Sequence, residues 1–109
     1  MTISERYRQI LAQIEQTADQ LYEDLPESAV KALRLVDKAA EELHDLAESV
    51  GEIPQFQLEA KLSPVLLKAH GSLDRARVIM EQNGEDEYQK AAGTVWELEQ
   101  LIYRLLNDL

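Results

Sequence analysis

His44 and His70 are the residues whose type most readily suggests chemistry. Glu41 stands three residues before His44, Glu48 four after it, and Asp74 four after His70, all within reach along a helix surface. Two imidazoles with one or two carboxylates make a zinc ligand set. His44, His70, Glu41 and Asp74 are therefore a candidate metal site, provided that the two histidines adjoin. Imidazole also titrates near neutrality, so such a pair could make a pH-sensitive seam. The plainer reading is two half-exposed histidines flanking a helix interface. A di-iron bundle is a poor fit, because it needs two Glu-x-x-His motifs and two further core glutamates. This chain offers only Glu41-x-x-His44. It has no cysteine, which excludes a thiol nucleophile, a Cys-ligated metal and a disulfide framework. No serine–histidine–acid order and no glycine-rich phosphate loop is present.

Two short segments resemble known families. The stretch His70-Gly71-Ser72-Leu73-Asp74 lies in a chain whose size and helix count are similar to small histidine phosphotransfer domains. That resemblance implies His70 as phosphoacceptor, with Gly71 leaving its ring open. Leu73 and Asp74 stand where those domains usually carry a lysine and a glycine. The segment Glu41-Glu42-Leu43-His44-Asp45-Leu46 is similar to the Glu-x-x-Asp segment of all-α nucleoside triphosphate pyrophosphatases, which implies Mg²⁺ held on paired helices. No Glu-x-x-Glu partner follows on a second helix. Glu23 and Glu27 straddle Pro26, and Glu97 and Glu99 are too close in sequence to face one ion together.

Surface residues carry the stronger expectation. Trp96 and Tyr103 lie seven residues apart, off the apolar stripe of their helix, and large aromatics in such places are favoured interface anchors. Tyr22 is a further aromatic of this kind, and Leu35 and Val78 are also off-stripe and could extend an apolar patch. Glu41, Glu42, Asp45 and Glu48 gather toward the end of one helix, where the dipole is already negative. Unfavourable charge of this kind suits a basic partner.

The elements that must position these residues follow from a repeated apolar pattern. Its steps alternate between three and four, giving heptads with apolar a and d positions. The first run is Ile3, Tyr7, Ile10, Ile14, Thr17 and Leu21, widened by Leu11, Ala18 and Leu25. The second is Ala29, Leu33, Val36, Ala40, Leu43, Ala47 and Val50. The third is Leu62, Leu66, Ala69, Leu73, Ala76 and Met80, and the fourth is Tyr88, Ala91, Val95, Leu98, Ile102, Leu105 and Leu109. Pro26 reads as a first-turn residue, Gly51 as a helix end, and Ser63-Pro64 as an N-cap and first-turn proline. Asp86 reads as a further N-cap. These signals predict helices at about 3–24, 26–50, 63–83 and 86–108. Gly71 weakens the third by about 1 kcal/mol relative to alanine. If the second and third helices pair as antiparallel neighbours, one register sets Asp37 opposite Arg77 and His44 opposite His70.

The 109 residues suit one domain, 1–109, and 45% hydrophobic residues suffice for its core. Scarce glycine (4) and proline (3) argue against an all-β fold. The expectation is all-α: an antiparallel up-down four-helix bundle, with a homodimer as one form. A net charge of −10 speaks against direct nucleic-acid binding. The charged N-terminus and the lack of a long apolar run point to a cytoplasmic protein with no membrane span. The function expected is a small non-enzymatic interaction module. It would dock another protein, basic or a second copy, through Trp96 and Tyr103 or through Glu41, Glu42, Asp45 and Glu48, with no cofactor. The alternative is a small enzyme, phosphotransfer or metal-binding bundle centred on His44 and His70.

Overall fold

The computed structural model describes residues 1–109. Four α-helices account for most of the chain: α1 (Ile3–Asp24), α2 (Val30–Ala47), α3 (Leu58–Glu81) and α4 (Asp86–Asn107). Short 3-10 turns occupy Glu27–Ala29, Val50–Glu52 and Gln55–Gln57, and there are no strands. At 1.5 Å per residue each long helix spans roughly 30 Å, within a molecule of 45 × 21 × 21 Å.

Local chemistry explains most boundaries. Thr2 opens α1 with a capping box: its hydroxyl accepts from the Glu5 N–H at 3.1 Å, and the Glu5 carboxylate accepts from the Thr2 N–H. Those contacts hold the Glu5 carboxyl below its ordinary range. Leu25 ends α1 in an extended conformation, as a residue before proline must (φ −105°, ψ 152°).

Four expected boundaries need correction. Pro26 is not the first residue of α2. It is extended (ψ 166°), and a 3-10 turn precedes the helix proper at Val30. Leu25 and Ala29 are both buried, so the chain must turn tightly between them. The second correction is Gly51, which has no positive φ and makes no left-handed cap. Instead α2 ends at Ala47, where the Arg8 guanidinium of α1 donates to the Ala47 carbonyl (2.8 Å) and the Glu48 carbonyl (3.4 Å). A cation at this end also offsets the dipole beside Glu48. Third, α3 starts at Leu58, not Ser63, and Pro64 lies inside it. Burial of Leu58 and Leu62 outweighs the one backbone hydrogen bond that Pro64 cannot donate. Fourth, Asp86 is not the cap of α4. Glu85 is, without a side-chain bond, and Asn83 and Gln89 secure the turn instead.

The helices pack in a ring, α1 on α2, α2 on α3, α3 on α4 and α4 on α1, the last being the sparsest seam. One core of 28 buried apolar side chains fills the centre. It follows the a and d positions closely, and also takes e residues from α1 and α4 (Leu11, Ala18, Ala92) and g residues from α2 (Ala32, Ala39).

The seams alternate in their flanking positions. At α1/α2, the b-position Tyr22 hydroxyl donates to the e-position Asp37 at 2.6 Å. At α3/α4, Arg77 and Glu99 meet, both at e. At α4/α1, Arg6 and Asp108 pair at 2.7 Å, both at g. The e flank of α2 therefore faces α1, while the e flank of α3 faces α4. This overturns the expected register. Asp37 and Arg77 do not meet, and α2 touches α3 through Glu42 and Ser72 instead.

Candidate functional site

The outward side of α4 carries two large aromatics that the fold leaves exposed, as it leaves Phe56 and Leu67 elsewhere on the surface. Trp96 is 51% exposed and Tyr103 54% exposed. Both occupy b positions, two turns apart, as their spacing implied. Neither ring closes the core. Between Trp96 and α1 runs a groove of about 660 Å³, which Tyr103 does not line. Its α4 wall includes Trp96, Glu97, Gln100, Leu101 and Arg104, and α1 contributes Gln13, Gln16 and Thr17. Glu97 and Arg104 are the only charged side chains in that lining, and their charges cancel. In a chain of net charge −10 this is a charge-poor strip. Charge depletion with Trp, Tyr and Arg enrichment is the composition of interface cores.

Gly93 lies one turn before Trp96, exposed and inside α4. A Cβ there would meet nothing within 4 Å. The fold does not require this glycine, yet it costs the helix about 1 kcal/mol relative to alanine.

Of the other off-stripe residues, Tyr22 and Leu35 are engaged by the fold. Tyr22 is tied to Asp37, which raises the phenol's pKa. Leu35 packs against the core. Val78 is 40% exposed on α3.

Beneath Trp96 and Tyr103 lies a feature with no distinct sequence signal. Glu99 is three residues from Trp96 and four from Tyr103 on the same helix surface, and it is buried at 2% exposure. Its Oε2 accepts from Arg77 Nε at 2.8 Å, and its Oε1 lies 3.8 Å from His70 Nε2. Arg77 also pairs with Asp74 and Glu81. Burial pushes the Glu99 carboxyl up to about 7. A hydrogen bond with Asp74 adds to the rise, and Arg77 opposes it. Arg77 holds Asp74 below its ordinary range, and the three carboxylates raise Arg77 itself. Ser72 is the other buried polar residue. It donates to Glu42 at 2.6 Å and accepts from Arg75.

The two histidines serve different seams. His44 lines a groove of about 460 Å³ between α1 and α2, together with Glu15, Asp19, Asp37, Glu41 and Asp45. His70 faces Glu99 at the α3/α4 seam. These seams share no helix, so the adjacency on which the two-histidine site depended is not formed. No group of three or more His, Asp or Glu side chains is arranged to hold a metal ion.

The four acidic residues singled out on α2 also divide. Glu41 and Asp45 line the α1/α2 groove. Glu42 is half-buried on the α3 side, engaged by Ser72. Glu48 is exposed at the helix end that Arg8 caps. The acidic surface is therefore the α1/α2 groove, which adds Glu15, Asp19 and Asp37 and contains no Lys or Arg.

Tyr7 is fully buried, donates to the Leu43 carbonyl, and is raised to about 12 by burial and then by Asp45. It ties α1 to α2 and is structural. No helix is long and apolar enough to cross a membrane. Comparison with family models, curated proteins and solved structures finds no match for this chain.

Proposed function

We propose that this chain is a small, non-enzymatic protein–protein interaction module. It is built as an antiparallel up-down bundle and docks through the outward face of α4. The observation that supports this reading most is the pair Trp96 and Tyr103, half-exposed on one helix face that no part of the bundle covers. Anchors of this kind supply affinity by burying large rings at little entropic cost. The acidic α1/α2 groove adds a long-range field that steers a basic protein and raises its rate of encounter.

The test compares capture of associated protein by the wild-type chain with capture by Trp96→Ala and Tyr103→Ala, alongside far-UV circular dichroism. An interface anchor is worth about 2 kcal/mol or more, so each substitution weakens association tenfold or more while the helical signal is unchanged. Variants that bind as well as wild type would overturn the reading, as would variants that lose the fold.

A further inference from the structure

The outward residues of α4 form a stripe that is complementary to itself. Gly93, Trp96, Glu97, Gln100, Tyr103, Arg104 and Asn107 recur at steps of three and four along one helix face. Taken flank by flank, reversal about Gln100 sets Trp96 within one residue of a second copy's Tyr103, Glu97 within one residue of its Arg104, and Gly93 level with its Asn107. Trp96 and Tyr103 share the b flank, and Glu97 and Arg104 share the c flank. Two antiparallel helices related by a twofold axis bring equal flanks together, as the alternating seams of the bundle itself do. The reversed pairs therefore fall on the same side of the contact.

Three further observations point to a copy of this chain as occupant. Glu97 and Arg104 form no ion pair within the chain, whose ion pairs involve only Arg6, Arg77 and His70 as cations. Each is therefore free for a partner of opposite sign. Secondly, the chain carries −10, so self-association is opposed unless the touching faces are charge-balanced. This face is balanced. Asp37, Glu41 and Asp45 of the acidic groove are on α2, which lies across the ring from α4. Pairing through α4 keeps the two acidic grooves apart. Thirdly, Gly93 is open on the outer side of its helix, where a second helix could approach closely.

We propose that two copies of this chain pair α4 against α4, antiparallel, about a twofold axis at Gln100. Trp96 then meets the partner's Tyr103, Glu97 meets the partner's Arg104, and Gly93 admits the partner's Asn107. Steps of three and four on both helices set the crossing near 20°. The interface is isologous and closes at two copies. Both acidic grooves stay open for a basic third protein. This assignment rests on the reading of α4 as the docking face and names what docks there.

Charge exchange tests the pairing. Solution mass is measured by light scattering from micromolar to millimolar protein for wild type, Glu97→Arg, Arg104→Glu, the double exchange and Trp96→Ala. All the altered side chains are exposed, and circular dichroism confirms each fold. The wild-type chain is expected to dimerise. Each single exchange sets like charges against each other across the twofold and weakens the dimer tenfold or more, and the double exchange restores it to within about threefold. A dimer that responds to Trp96→Ala but not to the single exchanges, or that the double exchange does not restore, would overturn the register while leaving α4 as the docking face. A wild-type monomer throughout would overturn self-pairing, and the docking reading would then stand on capture of another protein. A dimer indifferent to Trp96→Ala and to the exchanges would overturn the pairing and place self-association elsewhere.

Discussion

Burying Glu99 should make the stability of this protein fall as pH rises, the reverse of the usual effect of a salt-bridged carboxylate. Its carboxyl moves from an ordinary 4.5 to about 7 in the folded chain. At 1.36 kcal/mol per pH unit this corresponds to about 3 kcal/mol. The folded chain binds this proton more tightly than the unfolded chain. Between pH 4.5 and 7 it therefore carries more protons, and unfolding becomes easier as pH increases. The stabilisation is complete below pH 4.5 and lost above about 7. Arg77 does not reverse the sign, because it divides its charge among Asp74, Glu81 and Glu99. Glu99→Gln keeps the shape and removes the titration, and Arg77 retains two carboxylates. Urea unfolding followed by circular dichroism at pH 5, 6, 7 and 8 measures the effect. Wild type should lose about 2.5 kcal/mol across that series, and the glutamine variant should lose far less and exceed wild type at pH 8. In melting temperature the wild-type drop is about 10 °C for a domain of this size. Equal pH slopes for the two proteins, or a wild-type stability that rises toward pH 8, would show that Glu99 does not hold its proton in the folded chain.

Three other perturbations address single contacts. Arg8→Ala removes the side chain that caps Ala47 and Glu48, and should cost about 1 kcal/mol and speed amide exchange over residues 47–52. Tyr7→Phe deletes the hydroxyl that reaches Leu43, and should cost about 1 kcal/mol in urea unfolding with the helical signal unchanged. Pro64→Ala lets α3 complete its hydrogen bonding to Ala60, and should raise stability by about 1 kcal/mol, net of the lost restriction on the unfolded chain. A destabilised alanine variant would show that the proline is preferred where it stands.

The heptads made the four helices legible, because a and d residues such as Leu33, Val36, Leu66 and Leu105 are apolar and buried with few exceptions. Local signals misled wherever packing competed with them. Ser63-Pro64 reads as a helix start, but Leu62 and Leu58, one and five residues earlier, are drawn into the core. Thr2-x-x-Glu5 was a readable capping box at the start of α1. The cap on α2 was not readable, because Arg8 lies 39 residues away from Ala47.

The exposed aromatics were legible because a b position lies off the core stripe, although a neighbour can still engage it, as Asp37 engages Tyr22. The fate of the e flank depends on which helix it faces. Asp37 and Arg77 share that position, yet one meets α1 and the other α4. The two histidines part for the same reason. Glu99 looks like any flanking glutamate in sequence, and only the α3/α4 seam buries it.

The most direct test of α4 as a docking face is covalent capture in the living cell. A photocrosslinking amino acid is placed at Gln100, between Trp96 and Tyr103, and in a control chain at the exposed Glu59 of α3. Discrete protein adducts are expected from position 100, lost when Trp96→Ala is added, and none of that size from position 59. Irradiation that leaves the chain at position 100 uncoupled, or that gives the same adducts with Trp96→Ala, would contradict docking through α4.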